Sequence, residues 1–202
     1  MLNFLISADY TIFAAINADY CYNLLDNVMP IVTNAKIWFP FILAAWFYLL
    51  LSRNRKLVLL AVMLLISTGL TDLFCARVVK NLVGRTRPCA MDTSELQVRL
   101  LVGKTTSRSF PSNHAATTAA FASMTAFLCG FWPALPLIMI SFVIGYSRVY
   151  CGVHFPFDVL AGWIIGICIS WLIVRILRKK WPDKLVQECE QTAVLNSDSR
   201  NA

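Results

Sequence analysis

The sequence predicts an all-α fold, a polytopic membrane helix bundle of about five to six transmembrane helices with an N-terminal interfacial helix. Three observations predict it. Hydrophobic residues fill 58% of the 202 positions and charged residues only 14%, and the mean hydropathy of +0.63 is too high for an ordinary soluble domain. Apolar runs of bilayer-spanning length, about 20 residues, recur along the chain. Lysine and arginine gather at the ends of those runs, where they face lipid headgroups or a phosphorylated ligand. The net charge of +7 is therefore read as a membrane pattern, and no nucleic-acid partner is expected.

Residues 1–30 alternate apolar stretches with Asp9, Asp19 and Asp26. That pattern suits an interfacial amphipathic helix better than a sixth full span, which stays open as an alternative. The opening MLNFLISAD lacks the basic start of a secretion signal, so no cleaved leader is expected. Five runs follow as candidate spans: 31–51, 57–79, 112–130, 134–150 and 155–177. The first is the weakest, because Asn34 and Lys36 interrupt it. After Lys180 the chain turns polar, so a single membrane-embedded domain over 1–180 and a polar cytoplasmic tail over 181–202 are expected.

Orientation follows from the cations. Arg53, Arg55 and Lys56 in the link after the first span, and Arg175, Arg178, Lys179 and Lys180 after the last, place both segments in the cytoplasm. Five spans satisfy the parity of those two points. Segments 80–111 and 148–155 then face outward. The first of them breaks the positive-inside rule, with Lys80, Arg85, Arg87, Arg99, Lys104 and Arg108 against only Asp92 and Glu95. A bound polyanion explains such an excess, and phosphate matches the planar forks of arginine.

Three distant blocks on that outer side hold both histidines of the chain: KNLVGRTRP (Lys80 to Pro88), PSNH (Pro111 to His114) and SRVYCGVHFPFD (Ser147 to Asp158). In the third, Pro156 suits a first helical position, which puts His154 just outside the helix and Asp158 in its first turn. A carboxylate there can reach back to one imidazole nitrogen, fix the tautomer and leave the other nitrogen free to attack an electrophile. Arg148 can meet an anion at the same place. In the second block Ser112 reads as an N-cap, the N–H groups of Asn113 and His114 face outward as an anion site, and His114 can hand a proton to a leaving oxygen. The first block adds Lys80 and Arg87. Taken singly, each feature has an ordinary structural explanation, and the case rests on the three together.

These blocks resemble the type-2 phosphatidic acid phosphatase superfamily, which includes lipid phosphate phosphatases, acid phosphatases and vanadium haloperoxidases. The matching positions are Lys80, Arg87 and Pro88; Pro111, Ser112 and His114; and Ser147, Arg148, His154 and Asp158. Asn113 departs from the family's glycine. The resemblance spans about residues 57–177. It implies that His154 is the nucleophile of a phosphohistidine intermediate, oriented by Asp158, and that His114 is the acid and later the base. It implies that Lys80, Arg87, Arg148, Ser112 and the Asn113 N–H hold the phosphoryl oxygens. It implies no metal and no cofactor, and a membrane lipid phosphate as substrate in the cell membrane.

Undecaprenyl diphosphate is the favoured substrate. Lipid A phosphatases, phosphatidylglycerophosphate phosphatases and lipid phosphotransferases share the motifs, and a non-catalytic lipid-phosphate binding or transport protein is the reading from another class. No protein partner is evident. Arg85, two residues from Arg87, shares its face in an extended stretch and either contacts a second phosphate or the adjacent headgroup region or stays a solvated cation near lipid headgroups. Cys89 and Cys151, the cysteines beside motif blocks, form a disulfide or remain free thiols.

Overall fold

The computed structural model describes residues 2–91 and 96–180, so the expected tail over 181–202 lies outside the described residues. Among the described residues all regular structure is helical, as expected. Helix α1 (Leu2–Ala14) continues through a wider π turn (Ala15–Asp19). Its exposed face carries Phe4, Leu5, Ile6 and Ile12, while Asp9, Phe13 and Asn17 are buried. The helix thus turns an acid inward and its greasy side out, which suits an element lying against lipid.

Helices α2 (Asn23–Thr33) and α3 (Ala35–Leu50) are bent by 51° at Asn34. The break has a local cause. The Asn34 side chain accepts a hydrogen bond from Lys36 N at 3.1 Å and so caps α3. Trp38 Nε1 donates to the carbonyls of Ile31 and Val32 in the last turn of α2. The weakest expected span is therefore a bent pair of helices rather than one rod over 31–51.

Helix α4 (Arg55–Leu73) runs through a π turn (Phe74–Val79) into α5 (Lys80–Val83), so the second apolar run extends past its expected end to carry Lys80. The remaining helices are α6 (Asn113–Cys129), α7 (Phe131–Tyr150) and α8 (Pro156–Lys180). Residues 131–133, expected as a link, lie inside α7. Pro133 is tolerated in that first turn, where N–H groups need no helical partner. Gly130, at φ +91°, alone separates α6 from α7.

Among the described residues, three helices are long and apolar enough to cross a membrane: Arg55–Val83, Phe131–Tyr150 and Pro156–Lys179. The bent pair is a fourth if it counts as one span. At 17 residues α6 is shorter, and it is the hub, with Ala115, Ala116, Ala119, Ala120 and Ala122 buried.

Against this alanine face runs Gly162, Gly166 and Ser170 of α8, one residue per turn. A Cβ on Gly162 would lie 2.6 Å from the Ser112 carbonyl oxygen, and one on Gly166 2.2 Å from that of Ala116. Ser170 Oγ donates to the Ala120 carbonyl at 3.0 Å. Small residues at this spacing let backbones touch where lipid gives no hydrophobic drive for association. Replacing Gly166 by alanine should therefore lower stability by roughly 1–3 kcal/mol through overpacking. Thermal unfolding in detergent measures it, and an unchanged transition would refute the close contact.

Candidate active site

The α6–α8 contact brings the second and third motif blocks together. Ser112 N donates to the Asp158 carbonyl at 2.9 Å, so the start of α6 is bonded to the first turn of α8. His154 sits just before α8, which begins at Pro156 as expected. Its loop is shaped by the Arg148 carbonyl, which accepts from Val153 N and His154 N, both at 3.2 Å. Gly152 makes the turn at φ +78°, where a Cβ would also lie 2.7 Å from the Arg99 carbonyl oxygen.

His154 is 1% exposed. Arg87 Nη1 lies 3.0 Å from its Nε2. Because a guanidinium only donates, Nε2 is the acceptor and the ring proton is assigned to Nδ1. Nδ1 faces Asp158 Oδ2 at 3.5 Å, a contact too long for a hydrogen bond and of the kind that tightens when substrate binds. Burial drives the His154 pKa down to about 3, with Arg87 and Arg148 adding to the shift and Asp158 opposing it. The imidazole is thus neutral at physiological pH, with the Nε2 lone pair available.

Asp158, fully buried, is held from three sides. Its Oδ2 accepts from Ser109 Oγ at 2.5 Å and from Phe155 N at 2.9 Å, and its Oδ1 accepts from Arg85 Nη1 at 2.8 Å. Arg85 is where the structure departs from the sequence reading. Its second nitrogen binds Asp9 Oδ2 at 2.6 Å, and its guanidinium lies 4.1 Å over the Phe155 ring. Both of its terminal nitrogens are engaged by carboxylates behind His154, so the expected second-phosphate contact is replaced. The stretch is not a simple extended strand that turns Arg85 and Arg87 alike.

Arg87 does lie in front of the histidine. Besides His154 it donates to the carbonyls of Ser107 and Val153 and to Ser107 Oγ. Arg148, 7% exposed, donates from Nη1 to Thr33 Oγ1 at 2.6 Å. Its Nε is buried without a partner, as are Ser112 Oγ and His154 Nδ1. Ser112 occupies the expected N-cap position, but its side chain makes no capping bond. A buried donor left unpaired costs about 1–3 kcal/mol, and the unpaired Arg148 Nε and Ser112 Oγ suit an acceptor-rich anion. His114, from the first turn of α6, stands in the field of Arg148, Arg87 and Lys80. The Asn113 amide donates to Asp72 at 2.7 Å.

Ser109, Asp9, Thr33 and Asp72 were missed in the sequence. Asp9 and Asp72 each gave a signal, as acids inside apolar runs. Cys89 and Cys151 are free thiols, with Cys151 packed beside Met29 and Tyr150, so the disulfide alternative is not realised.

A profile described as the PAP2 superfamily matches residues 56–182. Undecaprenyl-diphosphatase BcrC of Bacillus subtilis is 31% identical over 197 residues, covering 93% of this chain and 94% of that protein. Lipid A 4'-phosphatase of Bacteroides thetaiotaomicron is 31% identical over 161 residues, 76% of this chain and 70% of that protein. The crystal structure of a transmembrane PAP2-type phosphatidylglycerolphosphate phosphatase from Bacillus subtilis superposes with a TM-score of 0.68 at 27% identity, covering 89% of this chain and 88% of that one.

The depressed histidine carries a stability signature. Its folded pKa lies below the value of about 6.5 in an unfolded chain, so the unfolded state binds the proton first as pH falls. Stability contributed by neutral His154 is complete above about pH 6.5 and declines below it, by up to roughly 2 kcal/mol at pH 5. Thermal unfolding of wild type and His154→Gln at pH 7.5 and 5 checks this; an equal acid-side loss in both proteins would contradict it.

Proposed function

The chain belongs to the PAP2 superfamily, and on that premise we propose that it removes the terminal phosphate of undecaprenyl diphosphate at the outer face of the cell membrane, through a phosphohistidine on His154. Family, relatives and apolar helices make it a multi-pass membrane lipid phosphatase, a hydrolase. The observation that carries the substrate choice is the likeness to an undecaprenyl-diphosphatase along nearly the whole of both chains. A lipid A phosphatase is the second reading, favoured by a relative of equal identity over a smaller share of the chain.

In the proposed reaction Nε2 of His154 attacks the terminal phosphorus, and the bond to the bridging oxygen breaks. Arg87, already beside Nε2, shifts its hydrogen bond to a phosphoryl oxygen. Arg148, Lys80, Ser112 and the Asn113 N–H hold the others, stabilising the charge that spreads over them. Asp158 balances the positive charge on the ring as its Nδ1 proton stays in place. The charge of the bound phosphate offsets Arg148, Arg87 and Lys80, so His114 takes up a proton from solvent as substrate binds, passes it to the departing oxygen, and then takes a proton from the water that cleaves the phosphohistidine and releases phosphate. The cationic clusters at 53–56 and 175–180 support a cytoplasmic C-terminus and an outward-facing site.

His154→Ala should lower turnover by at least about a thousandfold while lipid binding persists. Turnover within tenfold of wild type would remove the nucleophile. Vanadate, shaped like the phosphoryl transition state, should inhibit competitively. Phosphate release from purified undecaprenyl diphosphate, lipid A and phosphatidylglycerophosphate in detergent tests the substrate, and a higher kcat/KM on lipid A would shift the assignment to the second reading.

A further inference from the structure

Behind the nucleophile the N-terminal helix supplies a buried acid that the reaction above does not use. Asp9 is 1% exposed. Its Oδ2 binds Arg85 at 2.6 Å, and its Oδ1 accepts from Phe157 N at 2.9 Å, an N–H in the first turn of α8. One carboxylate therefore holds both Arg85 and the N-terminus of the helix that carries Asp158. Arg85 in turn binds Asp158 Oδ1 at 2.8 Å and covers Phe155, the residue after His154. Tyr10 and Phe13, also from α1, pack on that same ring at 5.0 and 5.2 Å. The Arg85 carbonyl accepts from Ser109 N at 2.8 Å, which steadies the hydroxyl that reaches the other oxygen of Asp158.

We propose that Asp9 and Arg85 are positioning residues for the nucleophile, an Asp9–Arg85–Asp158 relay that aims the Asp158 carboxylate at His154 and makes the N-terminal helix part of the catalytic machinery. The inference rests on the reading of His154 as the nucleophile. Asp9 lies outside the family-matched range of 56–182.

Charge explains why three groups are needed. Arg85 alone against Asp158 would draw the carboxylate's negative charge away from the imidazole, which needs it when the ring becomes cationic. Asp9 offsets Arg85, and the trio keeps one net negative charge beside Nδ1. Burial pushes the Asp9 carboxyl up, while the Phe157 N–H and Arg85 pull it back. Keeping an ionised acid there is costly, and what it provides is one bond to Phe157 N in the His154–Asp158 turn and one to Arg85, which binds Asp158.

The test uses the full chain in detergent with undecaprenyl diphosphate, and the variants Asp9→Asn, Asp9→Glu and Arg85→Lys. Single-turnover trapping of acid-labile phosphoenzyme is read beside steady-state kinetics and thermal unfolding. Asp9→Asn should lower kcat and the rate of phosphoenzyme formation by about tenfold to a hundredfold, with KM within about twofold and partial rescue in Asp9→Glu. Arg85→Lys should behave alike, because neither residue touches the phosphate. A wild-type rate of phosphoenzyme formation in Asp9→Asn overturns the proposal. So does a rise in KM at unchanged kcat, or a loss that follows unfolding and is not rescued by glutamate. Absence of phosphohistidine in the wild type fails the nucleophile reading instead, and with it the inference.

Discussion

The close passage of α8 across α6 is the constraint on which the site depends. Two glycines one turn apart let the α8 backbone touch the carbonyls of Ser112 and Ala116, and the Ser112 N–H returns a bond to the Asp158 carbonyl. Those contacts fix the rotation and the slide of one helix on the other. Slide is what matters chemically, because a shift of one residue is about 1.5 Å along the axis, more than a near-attack geometry tolerates. The α6 hydroxyl and histidine are thereby held at the level of the α8 carboxylate and the histidine before it. The bundle does not merely bring the motifs near; it sets their register.

Charge accounting then separates structural cations from those of the site. Arg85 pairs with Asp9 and Asp158, and Arg99 with Asp26 at 2.5 Å, in a cluster that includes Tyr150 and Asn17. Arg108 donates to the Gly84 carbonyl. Among the described residues, no carboxylate forms an ion pair with Lys80, Arg87 or Arg148. Part of the cationic excess on segment 80–111 is thus neutralised by acids of the N-terminal helices, and a polyanion is needed only for the rest. Burying an arginine without a counterion is expensive, so the two nearly buried arginines carry the phosphate argument, and the count of cations does not.

The helical class and the three blocks were legible because they depend on local chemistry: apolar run length, Pro156 at a helix start, His154 four residues before Asp158. The third block needed nothing more than helix geometry. Arg85 was misread for the opposite reason. Its partner Asp9 is 76 residues away, and no spacing rule connects an acid in an N-terminal helix to an arginine in a loop. The same limit hid Ser109 and Thr33. The bend at Asn34 was partly visible, since that residue interrupts the first apolar run, but its capping bond to Lys36 turns an interruption into a break. The Gly162–Gly166 pair was readable as a small-residue spacing. Its partner, the backbone of α6, lies far away in sequence and beyond the reach of any spacing rule.

Asn113 shows how a departure from a family pattern is absorbed. An amide in place of glycine adds a polar side chain at the mouth of an anion cradle, where it would crowd the phosphate if it pointed inward. Its nitrogen instead donates to Asp72 of α4, 41 residues away in sequence. The bond costs the cradle nothing, because the backbone N–H of Asn113 remains at the open start of α6. It also gives Asp72, which sits in the field of Lys80 and His114, a neutral donor, so the acid need not draw either of them out of the site. The substitution and the acid are best understood as one unit that ties α4 to the start of α6. Removing the amide alone would release a carboxylate beside Lys80 and His114.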